Sequence, residues 1–198
     1  MLDRAEGPDV TVGPARDEGG RTVGREVAVL RSVQRSIGTP PVVGAARAMS
    51  FFGEHAAGWI ALGALGAALD APRRRQWATA VGGVVAAHGA SIAVKRVVRR
   101  RRPHDPGVAV HVGTPSRLSF PSSHASSTTA AALLYAGLVG GVGAGGATLL
   151  VPGMALSRVV LGVHYPTDVL AGSVLGAACA LGARRLVRRG SVGRWRTA

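Results

Sequence analysis

Cysteine and lysine each occur once in 198 residues, and aromatic side chains make up only 4%. One cysteine excludes an internal disulfide framework and a thiolate metal site. Cys179, set among Ala and Leu, reads as a packing residue. Acidic residues number 10 against 24 basic ones, for a formal net charge of +14, and every basic residue except Lys95 is arginine. Such a charge ordinarily suggests nucleic acid. Here the arginines sit between and after long uncharged runs with no recognition motif, so no nucleic-acid partner is expected. Ala, Gly and Val carry most of a 47% hydrophobic content, which suits close helix packing in a membrane.

Residues 1–24 are rich in Gly, Pro, Asp, Glu and Arg without apolar periodicity and read as a disordered tail. No signal peptide is visible, because the first apolar run comes too late. Val27, Leu30, Val33 and Ile37 then recur at helical spacing with Arg31 and Arg35 between them. That is an amphipathic helix, lying either on the membrane surface or against the domain. After Thr39-Pro40-Pro41, residues 42–69 can form one helix, with Glu54 and His55 read as interface residues rather than as a cap or a cavity lining. Residues 76–94 contain no Asp, Glu, Lys or Arg, close to the roughly 20 residues that cross a bilayer. His88 inside that run reads as a packing histidine. Residues 118–157 are also free of formal charge over 40 positions, about right for two spans. The glycine-rich stretch 140–146 marks the turn between them. A last span from Pro166 to Ala183 is followed by six arginines around Trp195, an interface anchor. The expected fold is an all-α integral membrane bundle of about five spans plus an N-terminal amphipathic helix. Its domain covers residues 25–189, with a basic tail at 190–198.

Three segments hold polar residues that a membrane should exclude: Lys95 to Pro103, Pro121-Ser122-Ser123-His124, and Ser157 to Asp168. With five spans in up-and-down order, all three emerge on one side. Pro166 suits the first position of a helix, which puts Asp168 in its first turn near the positive dipole end. From there Asp168 can reach back to one ring nitrogen of His164 and leave the other free. Lys95, Arg102 and Arg158 can neutralise phosphate oxygens. Ser122, with the backbone at Ser123, can receive an oxyanion at a helix N-terminus. His164 would attack phosphorus as neutral imidazole to give a phosphohistidine, and His124 would protonate the leaving alkoxide and later activate water. Each piece has a plainer reading: a lipid-facing arginine patch, a helix cap, or two metal ligands at i and i+4. Lys95, Arg102 and Arg158 would surround such a metal with like charge, so no metal or other cofactor is expected. Jointly the pieces supply every role that phosphoryl transfer needs.

In this pattern, Lys95-x6-Arg102-Pro103, Pro121-Ser122-Ser123-His124 and Ser157-Arg158-x5-His164-x3-Asp168, the chain resembles the type 2 phosphatidic acid phosphatase family. That family shares its site with bacterial acid phosphatases and vanadium haloperoxidases. The resemblance implies metal-free hydrolysis of a phosphomonoester or diphosphate. His164 would be the nucleophile, His124 the general acid and Asp168 the partner of His164. Lys95, Arg102, Ser122, Ser123 and Arg158 would hold the phosphate. The family usually has glycine at the position of Ser123; serine keeps the backbone donor but would be strained if φ were positive. The VKRVVRRRRPH and LSFPSSHASSTTAA segments further resemble actinobacterial phosphatases of decaprenylphosphoryl-5-phosphoribose.

The expected activity is therefore hydrolysis of a lipid-linked phosphate by a multi-pass protein of the cell membrane, surrounded by membrane lipids. Undecaprenyl diphosphate, phosphatidate and phosphatidylglycerol phosphate are alternative substrates. A vanadate-dependent haloperoxidase and a non-catalytic membrane protein are alternative functions. Arg73–Arg75 and the C-terminal arginines share the face opposite the site. The positive-inside rule places that face in the cytoplasm and the site outside.

Overall fold

Proline opens two of the helices that frame the molecule: α2 begins on Pro40 and α7 on Pro166, where the missing N–H is one that a first turn leaves unbonded anyway. The computed structural model describes residues 20–193. In it the chain runs through α1 (Gly20–Ile37), α2 (Pro40–Gly53), α3 (Ala57–Leu69), α4 (Arg74–Val98), α5 (Ser123–Val139), α6 (Gly141–Val160) and α7 (Pro166–Gly193). Most of the stretch read as an N-terminal tail, and the Arg194-Trp195-Arg196 anchor, lie outside the described residues.

Helix α5 is the axis of the bundle, packed against α4, α6 and α7. Its buried stretch consists of Ser, Thr and Ala: Ser126, Ser127 and Thr128 are fully buried. The Ser126 and Ser127 hydroxyls donate to the Ser122 and Ser123 carbonyls one turn back, each at 3.0 Å. Thr128 accepts from the Trp59 indole at 3.1 Å. Large apolar side chains lie outside instead, with Phe51 85% exposed and Leu69, Val97, Leu149, Leu170 and Val174 also exposed. Polar groups satisfied inside and aliphatic groups outside is the arrangement that lipid surroundings select. Ala71–Val98 and Pro166–Leu186 are each long and apolar enough to cross a bilayer. The chain is an all-α membrane bundle.

Gly172 and Gly176, four residues apart on α7, let that helix approach α5 backbone to backbone. A Cβ at Gly172 would lie 2.4 Å from the Ser122 carbonyl oxygen, and one at Gly176 would lie 2.2 Å from that of Ser126. This contact sets Asp168, one turn before Gly172, beside the start of α5, where the Ser122 N–H donates to the Asp168 carbonyl at 2.9 Å.

Three expectations change. The single helix expected over residues 42–69 is broken into α2 and α3, because His55 (φ 50°) and Ala56 (φ 60°) are left-handed, a conformation no α-helix continues through. The glycine-rich stretch is not a long turn: Gly140 alone (φ 79°, ψ −163°) makes the break, and α6 starts at Gly141. Helix α1 starts at Gly20 and packs on the bundle. Leu30 is fully buried with Val108, Val159 and Tyr165, and the Gln34 amide donates to the carbonyls of Ala109 (2.7 Å) and Val160 (2.9 Å).

Gly176→Ala should lower the melting temperature, at a cost of about 1–3 kcal/mol for overpacking a backbone contact. Gly182→Ala on the same helix, with nothing within 4 Å of its Cβ, should instead stabilise by about 0.5–1 kcal/mol. Thermal melting in detergent compares the two.

Candidate active site

The three polar segments meet at one end of the bundle around a cavity of about 310 Å³. Lys95, Arg102, Ser123, His124, Arg158 and His164 all line it. Asp168 stands behind His164 and does not line the cavity. Ser122 does not line it either: its hydroxyl caps α5, accepting from the Ala125 N–H at 3.4 Å. No metal-binding group of three or more His, Cys, Asp or Glu side chains is present among the described residues.

Lys95 and Arg102 are held by carbonyls, and Arg158 by a hydroxyl, before they face the cavity. Lys95, in the last turn of α4, donates to the carbonyls of Pro121 (2.6 Å) and Ser119 (3.2 Å). Arg99 ends that helix at φ 56°, and the chain beyond it turns Arg102 inward. Arg102 donates to the carbonyls of Ser116 (2.8 Å) and Val163 (2.7 Å). Arg158, near the end of α6, is only 2% exposed. Its Nε donates to the Ser157 hydroxyl at 3.3 Å, and its buried Nη2 has no partner.

The His164 tautomer follows from its neighbours. Arg102 Nη1 lies 3.1 Å from His164 Nε2. A guanidinium has only hydrogens to give, so Nε2 carries a lone pair. The proton is then on Nδ1, which lies 3.5 Å from Asp168 Oδ2, a loose approach rather than a full hydrogen bond. Burial above all pushes the His164 imidazole down to about 3, with Arg102 and Lys95 adding to the shift and Asp168 opposing it. Neutral, with Nε2 toward the cavity, is the state a nitrogen nucleophile requires. Burial likewise lowers the pKa of Arg102 from its ordinary value.

Asp168 is fully buried and held on both oxygens. Oδ2 accepts the Tyr165 N–H at 2.9 Å, the N3-to-N-cap half of a capping box, while the Asp168 N–H donates to the Tyr165 carbonyl at 3.0 Å in a backbone turn. Oδ1 accepts from Arg100 Nη1 at 2.9 Å. Arg100 is a functional residue that the sequence reading left in an undifferentiated basic run. It also donates to Glu26 at 2.5 Å and to the Thr167 hydroxyl at 2.7 Å, and it stacks 4.1 Å over the Tyr165 ring. Glu26 in turn accepts from the Thr167 N–H (3.1 Å) and hydroxyl (2.6 Å), so α1 is stapled to the first turn of α7. Burial works against the Arg100 charge, but Glu26 and Asp168 outweigh it and raise its pKa above the ordinary value. The charge pattern hinted at Glu26, since it is the one acid on an otherwise basic amphipathic helix. Nothing in the run Arg99–Arg102 singled out Arg100.

Ser123 has no positive φ, so serine is unstrained there. Its hydroxyl lies 2.7 Å from that of Ser91, and the Ser91 hydroxyl lies 2.6 Å from the His88 carbonyl. Ser91 has one hydrogen and a carbonyl only accepts, so Ser123 donates to Ser91, and its backbone N–H is the group left for an anion. His124 Nε2 lies 3.1 Å from the Ser50 carbonyl. Glu54, His55 and His88 also line the cavity, which corrects the interface placement of the first two and the reading of His88 as a helix-packing residue.

Arg100→Gln should lower kcat about tenfold, or ~1.4 kcal/mol of activation free energy, with little change in KM, because it loosens Asp168 without touching the cavity. Glu26→Gln should lower kcat less and add little to Arg100→Gln, since both act through one network; steady-state kinetics on the single and double variants tests this. In the unfolded chain His164 protonates near its ordinary 6.5, while in the fold it resists protonation down to about 3. The unfolded state therefore binds the extra proton between those values, and stability falls as pH falls through that window. The melting temperature should drop between about pH 7 and about pH 5, and drop less in His164→Asn.

Comparison with known proteins identifies the family. Residues 76–191 match the model of the PAP2 superfamily. The chain is 58% identical over 148 residues to a decaprenylphosphoryl-5-phosphoribose phosphatase of Mycolicibacterium smegmatis, covering 74% of this chain and 81% of that protein. It is 52% identical over 153 residues to the protein of the same name from Mycobacterium tuberculosis, covering 77% and 85%. Among solved structures, a transmembrane PAP2-type phosphatidylglycerolphosphate phosphatase from Bacillus subtilis superposes with a TM-score of 0.73 at 19% identity, over 85% of this chain and 87% of that one. By the match across more than half its length and by these relatives, the chain belongs to the PAP2 superfamily.

Proposed function

We propose that this membrane phosphatase removes the 5-phosphate of a polyprenylphosphoryl-5-phosphoribose by way of a phosphohistidine on His164. The observation that carries the phosphate site is the buried, unpartnered Arg158 Nη2, on a side chain that lines one cavity with Lys95 and Arg102. Buried charged donors are stable only when matched, and a phosphoryl group carries the charge and oxygens to match all three. The names of the mycobacterial relatives support the prenyl-linked sugar phosphate as substrate.

In the proposed cycle, Arg102 exchanges its contact with His164 Nε2 for a phosphate oxygen, which uncovers the lone pair. Lys95, Arg102, Arg158 and the Ser123 N–H hold the equatorial oxygens, and Ser122 contributes by capping the helix that presents that N–H. Nε2 bonds to phosphorus as the bond to the sugar oxygen breaks. His124 gives its proton to that oxygen, and the positive charge arising on His164 is met by Asp168. His124 then takes a proton from water as the hydroxide cleaves the P–N bond, releasing inorganic phosphate. Pre-placed cations around the transferring group supply the largest share of such catalysis.

The proposed topology has five membrane passes in the cell membrane with the cavity on the outer face. Arg73 donates to the Leu138 carbonyl at 2.8 Å and Arg184 to that of Leu133. Both sit toward the C-terminal end of α5, roughly 15–22 Å along the helix from its cavity end. The positive-inside rule assigns that end to the cytoplasm.

Purified protein should release phosphate from a prenylphosphoryl-5-phosphoribose in EDTA, and faster than from phosphatidate, phosphatidylglycerol phosphate or undecaprenyl diphosphate. His164→Ala should lose at least about 10⁴-fold in kcat, and briefly reacted, alkali-quenched wild type should carry an alkali-stable, acid-labile phosphoryl label. Wild-type turnover by His164→Ala would reject the mechanism. Preference for a glycerolipid phosphate would reject the substrate.

A further inference from the structure

A general acid must hold a proton in surroundings that tolerate its charge, and the cavity around His124 is hostile to one. From α4 it is faced by His88 and Lys95, from α6 by Arg158, and from the connecting segments by Arg102 and His164; Arg96 and His55 complete the basic lining. Each of these is a cation or becomes one on protonation. Among the described residues lining the cavity, Glu54 alone is acidic. Its carboxylate lies 3.8 Å from His124 Nε2, the nitrogen that also meets the Ser50 carbonyl at 3.1 Å. His55 Nδ1 lies 3.4 Å from the same carboxylate on its outer side.

The backbone is shaped to bring that carboxylate in. At Gly53 a Cβ would stand 2.8 Å from His124 Cδ2 and 3.0 Å from Met154 Cε, so only glycine lets the end of α2 lie against the imidazole. The two following residues after Glu54, His55 and Ala56, are both left-handed without being glycine. Such residues are strained, and they persist where the surrounding structure holds them. The turn places Glu54 at the cavity instead of continuing a helix past it.

We propose that Glu54 is the positioning residue and counter-charge of the general acid: it keeps His124 protonated and aimed until the leaving oxygen takes the proton. As the P–O bond breaks, the His124 proton passes to the departing alkoxide and leaves neutral imidazole. Glu54 touches neither phosphorus nor the leaving group. This assignment rests on the phosphatase reading above and deepens it.

The leaving group provides the test. An alkoxide needs the proton and a nitrophenolate does not. Glu54→Gln should therefore reduce kcat about 10²-fold, the scale of general-acid assistance, on a prenylphosphoryl-5-phosphoribose. The same variant should reduce it less than about threefold on para-nitrophenyl phosphate, with KM little changed on either. The basic limb of its pH–kcat profile on the alkyl ester should move to lower pH, because the imidazolium has lost its anion. Glu54→Asp should recover most of the activity, and Glu54→Gln should cost nothing further in a His124→Ala background. Glu54→Ser serves as a second uncharged variant, with melting temperature as the folding control. Equal losses on both esters, a change confined to KM, or a full additional loss in His124→Ala would overturn the assignment. Wild-type protein inactive on both esters would reject the phosphatase reading itself, a result distinct from active wild type with an indifferent Glu54.

Discussion

Lys95, Arg102 and Arg158 bring three positive charges to a cavity walled by α4, α5, α6 and the segments between them. Taking a charge of that kind out of water costs several kcal/mol per ion after relaxation, so the rest of the architecture must offset or fix it. Carbonyl oxygens freed at helix ends and in the connecting segments do part of this, at Pro121, Ser119, Ser116 and Val163. They orient the cations without neutralising them. Asp168 does not neutralise them either, because its free oxygen is committed to Arg100. The positive excess is thus left facing the cavity, and on the function proposed a phosphoryl group balances it.

Asp168 shows how far this constraint spreads. One oxygen faces His164 and caps the Tyr165 N–H at the start of α7; the other holds Arg100, which holds Glu26 on α1. A helix that seemed able to lie on the membrane surface is thereby part of the catalytic frame. The approach of α7 to α5 at Gly172 and Gly176 sets the same aspartate beside the N-terminus that presents Ser123 and His124. Two separate helix contacts therefore fix one carboxylate beside the His164 ring.

On the mechanism proposed, the two histidines of the site have opposite needs. His164 has to remain neutral to attack, and burial beside Arg102 and Lys95 supplies that without help. His124 has to carry a proton, and the same surroundings oppose it. A carboxylate held behind each ring, Asp168 for one and Glu54 for the other, resolves the conflict differently in the two cases. At His164 the anion stabilises charge that appears during attack; at His124, on the assignment proposed, it stabilises charge present beforehand.

Much of the site was legible from sequence because its logic is local. Pro166 and Asp168 share a first turn by spacing alone, Pro121-Ser122-Ser123 starts a helix by composition alone, and the charge-free runs impose the parity that brings the three segments to one end. Other residues were out of reach for an equally physical reason. In the run Arg99–Arg102 the side chains are identical, and what separates them is the left-handed turn at Arg99 that ends α4 and sends Arg100 toward Asp168 and Arg102 toward His164. Ser122 and Ser123 are adjacent hydroxyls, and the helix phase decides that the first caps while the second faces the cavity. Glu54 and His88 became cavity residues only once the break at His55 and Ala56 had turned the chain inward. The sequence by itself determined which chemistry the chain holds and at which end of the bundle, since both follow from spacing and hydropathy. Which of several like residues carries it was decided by the tertiary structure, because that depends on backbone turns and helix contacts between segments far apart in the chain.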